Sequence, residues 1–282
     1  MNVKTKLLVF DYDCPTEVIR TFSELKHCKE FSWDGHVVTL FYKDEDCQKI
    51  ISLIKRVLDK LKPTKPLIAD ILFTSAKKFY PPNRVFGPPH VNTGYSSDKI
   101  VVYRKEEWFK VFIHECFHFY HLEKGLFDPK LRKYILKLFP VHSNVNLYES
   151  YCEMWARTIN CQIISELTCV PFSTLMYHEK KYAVRHMVNV LHHMGLTYQD
   201  LRNGCAYQEQ TNVLAYVVLT AILLFKDFIP KHRFHHYQLN SVKEYIQFLK
   251  RNVEDRELLL LIHETVPQQT TTMSFYNIEN YI

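Results

Sequence analysis

Apolar positions recur along this chain in two alternating periods, and they divide it near residue 62. Leu7-Leu8-Val9-Phe10 is a short apolar run of the strand kind, and Val37 to Tyr42 is a second, rich in branched and aromatic residues. Between them Pro15 opens a segment in which Val18, Ile19, Phe22 and Leu25 repeat at helical spacing. Ile50, Ile51, Ile54, Val57, Leu58 and Leu61 give the clearest helical period of the chain, stopped by Pro63 and Pro66. The pattern predicts a small α/β unit over residues 1–62 and a second domain over 63–282.

The second part begins with strand-like runs at Ile68–Ala76 and Ile100–Tyr103, separated by a loop over 79–98 with Pro81-Pro82, Pro88-Pro89 and Gly94. A loop of that length is of the functional kind. From there the periods are helical: roughly 106–125, 129–138, 149–167, 175–194, 212–228, 241 onward and 257–263. Ser241-Val242-Lys243-Glu244 reads as a capping box. The tail from Val266 is polar and threonine-rich, a pairing strand or a mobile end. The fold class predicted is α+β, with a mostly helical C-terminal part.

One helix differs from the rest. In Trp108–Tyr120 apolar residues lie nearly all round, yet His114, Glu115 and His118 sit among them. Glu106 and Glu107 fall where they complement the helix dipole, and Lys124-Gly125 closes the segment. H-E-x-x-H on a helix puts two imidazoles on one face, where they can converge on a metal ion, with the glutamate placed to take a proton from bound water. Buried imidazoles and a carboxylate are costly without such a partner. The alternative is a core helix whose histidines bond to carbonyls or carboxylates.

Catalytic zinc takes a third protein ligand. His121 is near in sequence, but one straight helix rarely closes three ligands on a tetrahedral ion. Further along, Glu149 and Glu153 are four apart in Leu147-Tyr148-Glu149-Ser150-Tyr151-Cys152-Glu153-Met154-Trp155, so a second helix presents two carboxylates on one face. One can ligate while the other accepts a hydrogen bond from a ligating histidine.

His114-Glu115-Cys116-Phe117-His118 followed by Glu149-x-x-x-Glu153 resembles the gluzincin zinc peptidases of the thermolysin-like clan, a likeness confined to residues 100–157. The block VVYRKEEWFKVFIHECFHFY is also similar to uncharacterised metallopeptidase-like proteins of large DNA viruses. The resemblance implies a zincin-like domain holding one Zn2+ per chain on His114, His118 and Glu149. It further implies Glu115 as general base, Glu153 as the residue orienting a ligand histidine, and a peptide or protein substrate. Glu153 stands where the clan usually has Asp, and Tyr148 where many members have Asn. The resemblance also places a substrate-pairing strand near the metal helix, for which Ile100–Tyr103 is the candidate, and a His or Tyr as oxyanion donor. His178, Tyr182 and His186, on a polar stripe that continues to Asn189 and His193, are the candidates there; a solvated helix face is the plainer reading of that stripe. A protein that keeps zinc and binds a partner without cleaving it is the alternative function.

Composition narrows the remainder. The chain has 282 residues, a net charge of +6 with its basic residues scattered, and only 6 glycines, with no G-x-x-x-x-G-K or G-x-G-x-x-G. Nucleotide chemistry and a nucleic-acid partner are not expected. The longest apolar run, Val213–Phe225, falls short of the roughly 20 residues of a membrane span. The 8 cysteines form no C-x-x-C, and no secretory pattern precedes them. Reduced thiols and a cytoplasmic location, host cytoplasm or virion for a viral protein, are therefore expected.

Overall fold

The computed structural model describes residues 14–228, 237, 239 and 241–281. The strand expected at Leu7–Phe10 lies outside them. The fold is α+β, with a five-stranded mixed sheet in the first part and helices in the second.

After α1 (Thr16–Phe22), β1 (His27–Trp33) and β2 (His36–Tyr42) form an antiparallel hairpin with Trp33 opposite His36. Its two-residue turn, Asp34-Gly35, has φ of 48° and 80°, the left-handed pair that suits a strand twist. α2 (Cys47–Leu61) starts on Asp46, whose carboxylate accepts from Gln48 N and Lys49 N at 3.0 and 3.2 Å. It crosses over to β3 (Ile68–Leu72), which pairs in parallel with β2. α3 (Pro88–Val91), β4 (Gly94–Ser96) and β5 (Ile100–Val102) follow. The strand order is β1-β2-β3-β5-β4.

The sheet runs across residue 62, because β2 before it pairs with β3 after it, and one apolar core includes Ile54 and Val57 together with Phe112 and Ile159. The strand at Ile100–Val102 is internal, flanked by β3 and β4, so it cannot receive a substrate strand. The last strand of the order is β4, inside the segment expected to be loop.

The helical part comprises α4 (Trp108–Phe119), α5 (Arg132–Leu138), α6 (Leu147–Thr168), α7 (Phe172–His193) and α8 (Tyr198–Asn203). A π-helical stretch, Leu214–Leu219, then runs into α9 (Thr220–Phe225), before α10 (Val242–Asn252) and α11 (Arg256–Glu264). α4 packs on α6, and both are buried on nearly every side. α4 is shorter than its sequence pattern. Glu107 stands before its first turn in a left-handed conformation, φ 59°, rather than inside it. At the other end His121 turns left-handed, φ 55°, and Leu122 N donates to Phe117 O at 3.0 Å, which reverses the chain.

The tail is neither a paired strand nor loose. Glu107 Oε1 accepts from Met273 N and Ser274 N at 2.7 and 2.8 Å, and Glu179 Oε2 accepts from Phe275 N at 3.0 Å. The second oxygens of these buried carboxylates face Lys78 and Arg157. Among the described residues no helix is long and apolar enough to cross a membrane.

Candidate metal centre

His114 and His118 leave the same face of α4, and Glu149 reaches them from the first turn of α6. Their nearest atoms form a triangle: Nε2 to Nε2 3.0 Å, and each Nε2 to Glu149 Oε2 3.2 Å. Tetrahedral ligands at 2.0–2.1 Å from a zinc-like ion would stand about 3.3 Å apart, so the corners are set for such an ion. The hydrogen-bond partners on the far side of each ring fix which nitrogens carry hydrogen. His114 Nδ1 lies 3.1 Å from Glu153 Oε2, and His118 Nδ1 lies 2.9 Å from Glu123 Oε1. With hydrogen on both Nδ1 atoms, both Nε2 lone pairs point at each other and at a carboxylate oxygen. Such a set repels itself unless a positive charge sits in its midst. A proton bridges one edge of the triangle; a divalent cation meets all three corners, and these residues could hold one.

The carboxylates behind the histidines are themselves held. Glu153 receives both of its Lys110 contacts at 3.0 and 3.1 Å, with both side chains buried. Burial opposes the ionisation of Glu153, but Lys110 and then His114 outweigh it and keep the carboxyl far below the usual range. Glu149 is likewise desolvated, yet His118 and the hydrogen bonds from both histidines hold it down to about 2. Its other oxygen takes a hydrogen bond from Asn212 Nδ2 at 3.4 Å. A second donor set, His118, Glu123 and Cys152, is also close together. Burial pushes the Cys152 thiol up to about 12 and His118 Nδ1 is already engaged, so this set is the back of the first site.

Glu115 lines a cleft of about 960 Å³ whose wall also contains His118 and Glu149. Burial raises its carboxyl above the ordinary range, against the pull of both histidines and a hydrogen bond with Ser96. β4 runs along this wall. Gly94 is required there, because a Cβ would lie 2.7 Å from Val101 O and 3.1 Å from Val111 of α4. Tyr216 comes from the π-helical stretch, with its ring 5.8 Å from that of His114. Burial and then the Glu149 and Glu115 carboxylates push its phenol well above 10, so it is a neutral donor.

Of the residues singled out in sequence, His114, Glu115, His118, Glu149 and Glu153 are brought together. His121 borders the cleft but has left the helix and is absent from the triangle. His178, Tyr182 and His186 face the tail instead of the cleft. His178 stacks on Phe275, Tyr182 Oη donates to Thr272 O at 2.9 Å, and His186 Nδ1 lies 3.3 Å from Thr270 Oγ1. The plain reading of that stripe, a solvated face, holds for exposed His178 and not for His186 and Asn189, which are buried against the tail. Sequence reasoning missed Lys110, Glu123, Asn212 and Tyr216. Tyr216 had one signal, a phenol inside an otherwise apolar run. No family model matches the chain, and no curated protein or solved structure matches it either.

Proposed function

We propose that this chain is a zinc-dependent peptidase. The observation that carries the reading is the triangle of His114 Nε2, His118 Nε2 and Glu149 Oε2 at 3.0–3.2 Å, opening beside Glu115 onto a cleft. A zinc ion held there supplies a Lewis acid that polarises a carbonyl and makes water acidic near neutral pH. Glu115, kept basic by burial, accepts the proton of the attacking water and returns it to the leaving amine. Tyr216 keeps its proton and donates a hydrogen bond as charge grows on the carbonyl oxygen. An extended peptide in the cleft lies alongside β4, which the Gly94 contact holds against α4.

The test uses the purified chain loaded with zinc. About one ion per chain is expected, lost in Glu149→Ala and retained in His121→Ala. Glu115→Gln should fold, keep its zinc and lose roughly 10²- to 10⁴-fold of hydrolysis, mainly in kcat. Hydrolysis by Glu115→Gln equal to that of the parent would remove the general base from the mechanism. Zinc retained by a parent that cleaves no member of a peptide library would instead favour a binding protein.

A further inference from the structure

Among the described residues lining the cleft, Arg132 is a cation that the proposed chemistry does not use. Arg132 opens α5 and lines the same cavity as Glu115 and His118. Among the described residues its guanidinium has no ion pair, and its Nε is buried without a hydrogen-bond partner. Among the described residues no acid of the wall is ion-paired with it, although Glu123 Oε2 is buried there without a partner of its own. Glu149 serves the histidines and Asn212, and Glu123 Oε1 serves His118. Glu209 accepts from Tyr207 Oη and Leu214 N at 2.8 Å each, and from Ser143. A desolvated guanidinium nitrogen left unpaired is destabilising. The loop that delivers it is built, since Asp128 Oδ1 accepts from Lys130 N at 2.9 Å and fixes the turn Pro129–Leu131 leading into α5. His121 and His142, also on the cleft wall, add further donors and no competing acid.

We infer that Arg132 is the anchor for a carboxylate of the peptide that occupies the cleft. The planar fork of donors matches a carboxylate in two-point contact, and a carboxylate in the cleft gives the guanidinium the ion pair that it lacks among the described residues. The ligand class is an acidic peptide, its carboxylate coming from an Asp or Glu side chain or from a free C-terminus. The word substrate in this assignment rests on the peptidase reading; the binding preference does not.

Binding is measured on the zinc-loaded Glu115→Gln chain by calorimetry with three peptides of one length. The first is neutral and amidated, the second carries one internal Glu and an amide, and the third is neutral with a free C-terminus. At least one carboxylate peptide should bind about 10- to 100-fold more tightly than the neutral amide, as charge-assisted pairing in a partly dry site allows. Whether the second or the third peptide shows the gain identifies the source of the carboxylate. Adding Arg132→Gln should reduce the gain to below about threefold, Arg132→Lys should recover part of it, and added salt should shrink it in the parent. Equal binding of all three peptides, failure of all three to bind, or a gain that survives Arg132→Gln overturns the assignment. A zinc-loaded parent that binds the acidic peptide selectively yet cleaves none removes the peptidase reading and leaves the anchor standing.

Discussion

Each proposed ligand histidine is backed by a carboxylate on its Nδ1 side, and the two carboxylates differ in how they are held. Glu153 is braced by Lys110 through both oxygens, whereas Glu123 has Oε1 on His118 and a buried Oε2 without a partner among the described residues. Removing charge from Glu123 leaves His118 a weaker orienting contact and a less basic ring. Glu123→Gln should therefore bind zinc about 10- to 100-fold more weakly than the parent while keeping the fold. Competition with a chelator of known affinity measures this, and unchanged affinity would relegate Glu123 to packing. Glu123 was not legible in sequence. Only the left-handed reversal at His121 brings a residue five positions beyond His118 back beneath its ring, and helical spacing has no way of announcing that turn. His114, Glu115 and His118 were legible because the motif depends on local geometry alone.

Among the elements, α7 makes the clearest contrast between pattern and contact. Its polar stripe faces the tail, and His186 is buried there. Burial first, and Arg157 and Lys78 after it, outweigh Glu107 and Glu153 and hold the imidazole down to about 3. An unfolded chain takes up that proton near 6.5. Stability is thus complete above about pH 6.5 and declines as pH falls toward 3, by at most roughly 1.4 kcal/mol per pH unit from this group. Urea midpoints across that range should fall less steeply in His186→Gln than in the parent, and parallel curves would mean that the tail does not keep the ring dry. The strands were read less fully than the helices. β2, α2 and β3 carry strong apolar runs, but β1 is polar and half-exposed along its length, and only Asp34-Gly35 marked its hairpin. β4 has three residues and owes its place to a missing side chain at Gly94. Tyr216 reaches the site on a π-helical turn, which a 3.6-residue period cannot anticipate.

For the whole molecule, the α+β class could be read from the order of periods, whereas the strand pairing across residue 62 could not, since it is a long-range choice. Three buried acid–base pairs, Lys78–Glu107, Lys110–Glu153 and Arg157–Glu179, join elements distant in sequence. Two of them also grip the backbone of residues 273–275, and Met273 closes a small cavity that His114, Glu115 and Glu153 share. That clasp imposes an order in time. The turns of α6 and α7 depend on near neighbours and form quickly, but the wall behind His114 exists only after partners 167 residues apart have met. On dilution from denaturant, helical circular dichroism should recover first and tight, stoichiometric zinc uptake later. A single phase shared by both signals would show that the centre assembles without its last wall. With two phases, the interval between them is a period in which the chain is helical but the proposed centre lacks its last wall, so any ion on His114, His118 and Glu149 exchanges freely until the clasp closes.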